Sequence, residues 1–403
     1  MYKTILNIAL KNAFLRKSRA ILLILMIGLS MGTMLSIEGL YDGMTTNMID
    51  KTIRSDSGEI SIYPKKYRLN KEIKYQIKNT PKIIKNIQTL PGVTSVVQRF
   101  KVEGLARSAT KAYPSTLIGI DLKDEEIFGQ FSEFVTSGDL NLGIRGCIIA
   151  KELAKNLKLK LNSKLIFTTR DINNEIKSTL FRVKAIIQTT NIHLDNKAIF
   201  ISKDKITSYL GVDKDSSTQI AIRVNNEKSI TTIKKLYFEY DALDFKEINP
   251  LLKQMQDMMV IFNSITFSIV MFVVFIGILG VMYVSILDRV REFGIMIALG
   301  YKYKYIRYQV ISEALFLGLA GFIVGSIVGY ISLTYLKIYG LDLSSFADGL
   351  ASFGMNSILY ADLKFAYFSA SFYAIIFASI LSVFLPLRKI KKLNPVEVIK
   401  ANK

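Results

Sequence analysis

The chain has 403 residues, half of them hydrophobic, and a formal net charge of +20. Its single cysteine, Cys147, excludes an intrachain disulfide framework, and its single histidine, His193, excludes a metal site built from several histidines. No G-x-x-x-x-G-K-[ST] sequence occurs, so the chain has no P-loop to hold a nucleoside triphosphate.

Four segments are long and apolar enough to cross a bilayer as helices, which need about 20 consecutive apolar residues because no water pairs with their backbone groups. The predicted transmembrane helices are residues 20–41, 257–287, 308–337 and 364–387. The first could instead be a cleaved signal peptide, but its apolar run is too long and no A-x-A-like site follows. We therefore expect an α-helical membrane protein with four transmembrane helices.

Positive charge is concentrated in three short segments, residues 1–19, 288–307 and 388–403. The segment 338–363, between the third and fourth helices, contains no lysine or arginine. Because these residues accumulate on the cytoplasmic side, both termini are predicted to be cytoplasmic, in a multi-pass protein of the bacterial inner membrane. Such charge makes anionic membrane lipid an expected partner, whereas nucleic acid is not expected as one.

Residues 42–256, between the first and second helices, alternate strand-like and helix-like patterns. Period-two alternation predicts strands, and proline directly after an N-cap residue predicts a helix. The predicted elements are strands at Gly58–Tyr63, Ser115–Ile120 and Cys147–Ala150, a helix from Pro81 capped by Thr80, and a hairpin of Leu165–Thr169 with Thr179–Ile187. We expect a large mixed α+β extracytoplasmic (periplasmic) domain inserted between helices 1 and 2.

The second apolar segment is unusually long, because no charge occurs from Met258 to Leu287. As a helix it would extend about 45 Å, against roughly 30 Å for the hydrocarbon core. It is therefore expected either to tilt or to project beyond the bilayer.

Four acidic residues lie at or near the predicted spans, Glu38, Asp288, Glu313 and Asp362, and they raise the alternative of an intramembrane protease. Each lies within a few residues of a predicted helix end, where water and lipid head groups solvate a carboxylate. We expect interface residues here, with no catalytic site and no metal site in the chain.

The predicted cytoplasmic loop, residues 288–307, contains a stretch from Phe293 to Leu299 that is too apolar for a free loop and too short to span. A short helix at the membrane surface, docked on a soluble partner, fits this pattern. The alternative is an interfacial helix that only rests on lipid.

The third predicted helix carries four glycines spaced by 3, 4 and 4 residues, Gly318, Gly321, Gly325 and Gly329. This spacing places them on one helical face, where small residues let helices approach closely. We expect tight packing on this face, either within the chain or against a partner subunit.

Three motifs, in chain order, resemble those of the FtsX/MacB-type permeases of ABC transporters. Residues 291–300, R-E-F-G-I-M-I-A-L-G, are similar to the family's R-E-I-G-I-L-R-A-L-G coupling helix, which docks in a groove of the ATPase subunit. Glu313 with the four glycines resembles the family's third helix, and residues 394–399, N-P-V-E-V-I, resemble its tail. The resemblance implies that ATPase coupling rests on Arg291, Glu292, Phe293, Gly294, Ile295, Met296, Ala298, Leu299 and Gly300.

Within that family, the lipoprotein-releasing (Lol) permeases are the nearest resemblance. Residues 41–44, Y-D-G-M, resemble their N-G-F segment, and residues 57–62 and 117–121 resemble their G-H-[IL]-x-I strand and G-I-D motif. Glu59 stands for the usual histidine and Met44 for the aromatic residue. The predicted hairpin is too short for the hook that captures the periplasmic carrier in one Lol permease.

The resemblance implies a permease subunit that extracts lipoproteins from the outer leaflet of the inner membrane. A second permease subunit and two copies of an ABC ATPase would complete the complex, and a periplasmic carrier would be a further partner. This chain would hold no cofactor, since ATP and Mg²⁺ would be bound by the ATPase.

The resemblance also places an acyl-chain cavity between helices one and two of paired permeases. Its implied lining residues are Leu40, Tyr41, Met44, Met255, Met258, Met259 and Phe262. Methionine repacks easily around variable acyl chains, although the same residues could simply pack helices together. Two alternative functions remain, a MacB-like exporter of peptides, toxins or drugs and an FtsX-like signalling permease that controls a cell-wall hydrolase.

Overall fold

The chain forms two compact units in the computed structural model, which describes residues 2–143, 145–189, 191–346, 349–350, 355 and 357–391. The membrane unit contains the described residues of Met1–Met44, Gln256–Leu343 and Ile358–Lys403. The outer unit contains those of Thr45–Met255 and Ser344–Ser357. The tail motif predicted at residues 394–399 lies outside the described residues.

The described helices belong to both units. In chain order they are α1 (Tyr2–Ala13), α2 (Lys17–Thr52), α3 (Tyr67–Asn70), α4 (Thr80–Gln88), α5 (Leu122–Gly129), α6 (Lys151–Leu157), α7 (Ile192–Lys197), α8 (Lys203–Leu210), α9 (Glu227–Leu236), α10 (Phe245–Ile248), α11 (Pro250–Asp288), α12 (Val290–Ala298), α13 (Tyr303–Ile338), α14 (Phe365–Ser382) and α15 (Phe384–Lys391). A π-helical turn at Ile53–Ser57 follows α2 directly.

Four helical segments of the described chain are long and apolar enough to cross a membrane, so the four predicted transmembrane helices are confirmed. Helices α2, α11 and α13 contain 36, 39 and 36 residues and extend past the predicted spans. Hydrophobicity marks the membrane-crossing part of a helix, whereas backbone hydrogen bonding continues into its polar ends. The predicted fourth span, 364–387, is divided between α14 and α15.

Helices α2 and α13 approach each other closely along two facing rows of glycine. A β-carbon added to Gly325 would lie 2.9 Å from Cβ and Sδ of Met31, closer than carbon and sulfur atoms pack. The same close approach pairs Gly321 with Ile27, Gly329 with Leu35, and, from the α2 side, Gly28 with Val324 and Gly32 with Val328. Gly318 faces Ser379 of α14. All four predicted glycines therefore pack within the chain.

Replacing Gly325 by leucine is expected to push α2 away from α13, because the added side chain has no space beside Met31. Overpacking of this kind costs about 1–3 kcal/mol. It should lower the midpoint of thermal unfolding in detergent, followed by circular dichroism. Gly280→Leu is the matched control, since no described atom lies within 4 Å of a β-carbon at that position. Equal melting of the two variants would contradict this packing.

The strands lie mainly in the outer unit. They are β1 (Ile60–Tyr63), β2 (Val93–Arg107), β3 (Ala112–Ile120), β4 (Val135–Gly138), β5 (Gly146–Ala150), β6 (Lys164–Arg170), β7 (Ile176–Ile187), β8 (Ala198–Ser202), β9 (Gln219–Val224), β10 (Asp241–Asp244), β11 (Leu341–Asp342) and β12 (Ile358–Leu359). Strands β6 and β7 pair antiparallel from Lys164 opposite Arg182 to Arg170 opposite Ile176, which confirms the predicted hairpin.

The outer unit joins a ferredoxin-like sheet to a closed barrel through one long shared strand, β2. The sheet has the antiparallel order β10-β1-β9-β2, with α4 following β1 and α9 following β9 in the β-α-β-β-α-β pattern. The barrel closes through the pairs β2·β3, β3·β8, β8·β5, β5·β7, β7·β6 and β6·β2. The predicted mixed α+β domain is therefore confirmed.

Each part of the outer unit has its own apolar core. In the sheet, β1 and β9 bury Ile60 and Ile222 against Ile87 of α4 and Ile233 of α9. Large side chains fill the barrel, among them Phe100, Leu117, Phe167 and Ile199, all fully buried. The alternation that predicted β1 arises because Ile60 and Ile62 face the core of the sheet, although Ser61 and Tyr63 between them are also buried.

Several predicted boundaries in the outer unit are wrong. Strands β3 and β7 begin at Ala112 and Ile176, earlier than the predicted Ser115 and Thr179. The starts of α4 and β1 also differ. Helix α4 begins at Thr80 and its N-cap is Asn79, because the Thr80 hydroxyl donates to the Ile77 carbonyl oxygen at 3.0 Å and does not cap the helix. Strand β1 begins at Ile60, since Gly58 has a φ of +60° and lies against the Ile222 backbone.

Cys147 lies on β5 inside the barrel, and burial raises the pKa of its thiol to about 12. Because the thiolate is the reactive form, labelling by a maleimide at neutral pH should be at least ~100-fold slower in the folded protein than in denaturant. The rate of labelling over a urea series therefore reports unfolding of the barrel. Rapid stoichiometric labelling without denaturant would contradict the burial of β5.

Candidate functional site

The segment predicted to couple to an ATPase forms the helix α12 and a glycine-containing turn. Helix α12 follows α11 after a single residue, Arg289, and ends before Leu299. Gly300 has a φ of +87°, and the backbone N–H groups of Gly300 and Tyr301 donate to the carbonyls of Ile297 and Met296 at 2.9 Å. This is the left-handed glycine cap that stops a helix sharply.

Helix α12 has an inner and an outer face. Phe293 is fully buried, Gly294 is buried beside it, and Met296 packs partly against the membrane core. The outer face carries Ile295, which is 43% exposed, and Leu299, which is 83% exposed. The remaining predicted coupling residues, Arg291, Glu292, Ala298 and Gly300, are also exposed. The predicted set therefore divides into two anchoring residues, one half-buried residue and six that face outward.

A buried ion pair fixes the start of α12 to α13. Arg289 donates from Nη1 to Oε1 of Glu313 at 2.8 Å and from Nε to Glu292 at 3.1 Å. The same Glu313 oxygen accepts a hydrogen bond from Gln309 at 3.3 Å, and the Arg289 guanidinium lies 5.0 Å from the centre of the Phe293 ring. The Glu313 side chain is only 3% exposed.

The role of Glu313 differs from the solvated interface position that its place in the sequence suggested. Helix α13 begins at Tyr303, so Glu313 lies well inside the helix and needs a protein cation. The sequence offers only two separate signals for this pair: Glu313 is an acid within an apolar span, and Arg289 lies between two helical segments. The two residues are 24 positions apart, so no local sequence pattern links them.

Two of the other three predicted interface acids, Asp288 and Asp362, form ion pairs with basic residues, whereas Glu38 is half-buried on α2. Asp288 pairs with Arg19 at 2.7 Å and with Arg16, and Asp362 lies 3.4 Å from Lys364. Within the described residues, no group of three or more His, Cys, Asp or Glu side chains is arranged to hold a metal ion. His193 lies in the first turn of α7, where its backbone N–H donates to the Asn191 side chain.

A groove of about 370 Å³ runs between α2 and α11 within the membrane unit. On α2, the groove lies beside the face that carries Gly28 and Gly32 and packs against α13. Its lining residues are Leu29, Ser30, Thr33, Met34, Ile37, Thr266, Ile269, Val270 and Val273. The lining contains no charged side chain, and the only polar groups on it are hydroxyls such as that of Thr33, which donates to the Leu29 carbonyl at 2.9 Å.

The residues predicted to line an acyl cavity lie elsewhere on the same two helices. Tyr41, Met258 and Phe262 are 36%, 54% and 51% exposed, whereas Met44 is buried. Leu40, Met255 and Met259 are half-buried. Compared with these predicted residues, the groove lies closer to the N-terminal end of α2 and to the C-terminal end of α11. Its lining is mostly branched aliphatic, and such residues look the same in a sequence whether they line a groove or pack helices together.

Replacing Glu313 by glutamine is expected to loosen α12, because Arg289 then faces a neutral side chain in a buried site. Breaking a buried pair costs ~3–5 kcal/mol, and we expect about 2 kcal/mol here since Arg289 keeps Glu292. Limited trypsin digestion in detergent should cleave faster after Arg291 and Lys302, on either side of the helix core. Glu292→Gln is the control, scored at Lys302 because residue 292 directly follows the Arg291 site; its side chain is 65% exposed, so cleavage after Lys302 should change little. Unchanged cleavage in Glu313→Gln would show that the pair does not hold α12.

Two family models match consecutive parts of the chain. Residues 20–236 match the MacB-like periplasmic core domain, and residues 264–395 match the FtsX-like permease C-terminal family. The first match covers more than half of the chain and includes α2 and most of the outer unit. The second includes α12, α13 and both of the residues in the Arg289–Glu313 pair.

Curated relatives include an uncharacterised ABC transporter permease of Methanocaldococcus jannaschii, 23% identical over 416 residues and covering 98% of this chain and 97% of the relative. The macrolide export ATP-binding/permease protein MacB of Escherichia coli is 26% identical over 208 residues, which is 47% of this chain. That match spans only 28% of the length of MacB.

Two solved structures are similar to part of the chain. The extracellular domain of the noncanonic ABC-type transporter YknZ from Gram-positive bacteria has a TM-score of 0.32 at 14% identity, covering 46% of this chain and 98% of that one. The periplasmic region of MacB from Actinobacillus actinomycetemcomitans has a TM-score of 0.33 at 10% identity, covering 50% and 95%.

Proposed function

The chain belongs to the family of ABC transporter permeases that combine a MacB-like periplasmic core domain with an FtsX-like permease domain, and we propose that it extracts lipoproteins from the outer leaflet of the membrane. The permease part of these transporters is non-catalytic, and for this chain we propose that the ATPase activity resides in a separate subunit. In support of this proposal, residues 41–44, 57–62 and 117–121 resemble motifs of the lipoprotein-releasing permeases.

The observation that carries this proposal is the uncharged groove between α2 and α11. An acyl chain needs an apolar surface and no charged partner, and the groove offers branched aliphatic side chains along about two turns of each helix. Thr33 is already hydrogen-bonded to its own helix, so its hydroxyl costs little to cover with hydrocarbon.

Extraction of a lipoprotein requires work that ATP hydrolysis can supply. Each buried CH₂ contributes about 0.8 kcal/mol to membrane anchoring, so two or three acyl chains amount to roughly tens of kcal/mol. A groove that receives the chains directly from the bilayer lowers the barrier, because the hydrocarbon never enters water. A periplasmic acceptor is then needed to take the released protein, and a carrier is part of the proposal.

We propose that two copies of an ABC ATPase, which bind ATP and Mg²⁺, dock on the outer face of α12 in a complex with a second permease subunit. Ile295 and Leu299 provide the exposed apolar contacts, while Phe293 and the Arg289–Glu313 pair transmit force to α13. The basic residues of segments 1–19 and 288–307 favour an orientation with both termini and α12 in the cytoplasm. The proposed location is the bacterial inner membrane.

A second candidate function is export of a drug or peptide, as the name of the Escherichia coli relative MacB states for macrolides. The similarity to MacB over 208 residues favours it. A polar or cationic drug would need charged side chains to bind, and the lining of the groove between α2 and α11 contains none. We therefore favour the lipoprotein.

Reconstitution tests the two candidates against each other. The full chain and its ATPase are placed in proteoliposomes with a triacylated lipoprotein in the outer leaflet, with serum albumin added as an acyl-chain acceptor. We expect release of the lipoprotein that depends on ATP. ATP turnover without release, together with stimulation of hydrolysis by a macrolide or peptide, would overturn the lipoprotein assignment in favour of export.

Replacing Leu299 by aspartate should weaken docking of the ATPase strongly, because a charge would be buried in an apolar contact. Loss of the contact made by one leucine weakens binding by roughly 10- to 100-fold, measured by co-purification at graded ATPase concentrations. Ile127→Asp in α5 is the matched control, since Ile127 is 76% exposed in the outer unit. Retained co-purification of Leu299→Asp would remove α12 as the docking element.

Replacing Thr33 by tryptophan should fill the groove and lower ATP-dependent lipoprotein release several-fold, while the ATPase still docks on α12. Thr334→Trp in α13 is the matched control, because Thr334 also donates to a carbonyl four residues earlier, at 2.7 Å, but does not line the groove. Equal release by the two variants would argue against the groove as the path of the acyl chain.

A further inference from the structure

A second cavity, of about 220 Å³, lies in the membrane unit where the start of α2, the end of α11 and the side of α13 meet. This volume is several times the ~30 Å³ that one water molecule occupies in the liquid. Six charged side chains line it, Arg16, Arg19, Asp288, Arg289, Glu292 and Glu313. It shares no lining residue with the groove between α2 and α11.

These charges form two groups of opposite net sign. Near the start of α2, Arg16 and Arg19 share one carboxylate, that of Asp288. Near α13, the single guanidinium of Arg289 is shared by two carboxylates, those of Glu292 and Glu313. Counted over the ion pairs of the described residues, the first group has one surplus positive charge and the second has one surplus negative charge. The cavity is therefore neutral as a whole but strongly dipolar.

The surroundings of the cavity favour a lipid over a soluble ligand. Leu15, which lines it, is 71% exposed, and Val284 and Leu287 on the last turns of α11 are each 40% exposed. Exposed aliphatic side chains on a membrane-spanning helix face hydrocarbon. Ala20 and Leu317 add apolar wall beside the charges. A ligand here can place a charged head in the cavity and its tails along α11.

We propose that this cavity binds the head group of a zwitterionic phospholipid that carries a primary ammonium, the chemistry of phosphatidylethanolamine. The phosphate accepts hydrogen bonds from Arg16 and Arg19, which are the more exposed arginines at 53% and 41%. The ammonium donates to the carboxylates of Glu292 and Glu313. Each end of the head group thereby meets the surplus charge of opposite sign.

The same arrangement discriminates between lipid head groups. A quaternary choline ammonium has no N–H to donate, so it leaves the carboxylates without hydrogen bonds. An anionic glycerol head group has no cation at all, and it would leave the surplus negative charge unmatched in a half-buried site. We expect phosphatidylethanolamine to bind at least ~10-fold more tightly than either, the effect of about one charge-assisted hydrogen bond.

Native mass spectrometry of the delipidated full chain in detergent, titrated with phosphatidylethanolamine, phosphatidylcholine or phosphatidylglycerol, measures this preference directly. Arg16→Gln should weaken binding of all three lipids, because each carries the phosphate. Glu292→Gln should reduce the preference for ethanolamine over choline, because only the ammonium contact changes. Both side chains are more than half exposed, so neither change should unfold the protein.

Lys17→Gln is the matched control, since Lys17 is an exposed cation next to Arg16 that does not line the cavity. Its lipid binding should equal that of the unaltered chain. An equal loss in Lys17→Gln and Arg16→Gln, or equal binding of the three lipids, would overturn the proposal. Tighter binding of phosphatidylglycerol would point to a simple anion site, and equal binding of soluble phosphoethanolamine would exclude a lipid as the ligand.

Discussion

Helices α2 and α13 can touch along their length only because glycine lies on both sides of their contact. Inside a bilayer no hydrophobic effect drives helices together, so association depends on close van der Waals contact. Met31 against Gly325, and Val328 against Gly32, provide it. Leu29, Thr33 and Ile37, which line the groove, lie on the face of α2 beside Gly28 and Gly32. The glycine contact with α13 therefore also determines which face of α2 remains open toward α11.

Helix α13 links this contact to α12, the helix that we propose as the docking element for the ATPase. Its middle and end carry the glycine face, and its first third carries Glu313, which holds Arg289 at the start of α12. Arg289 and Asp288 are neighbours in the chain, yet their side chains bind different elements, α13 in one case and the start of α2 in the other. The glycine contact, the start of α12 and the dipolar cavity are therefore all arranged around α13.

Local pattern was sufficient to predict the four spans, the hairpin of β6 and β7, and the face shared by Gly318, Gly321, Gly325 and Gly329, because each depends on periodicity within one segment. The partners of those elements were not predictable. Nothing in the sequence near Gly325 indicates Met31, and the apolar stretch of α12 does not reveal that Phe293 points inward while Leu299 points outward. The closed barrel likewise depends on pairing between strands that are distant in the chain.

The insertion of the barrel into the ferredoxin-like sheet constrains the order in which the chain can fold. Strand β1 forms its ladders only with β9 and β10, pairing Ile60 with Ile222 and Asp244, so it has no strand partner until the whole barrel has been synthesised. Strand β2 pairs with β3 almost at once. Because closing a long loop is slow, we expect the barrel to form first and the sheet to close late, just before α11 enters the membrane. Until then β1 is an unpaired edge that a chaperone could protect.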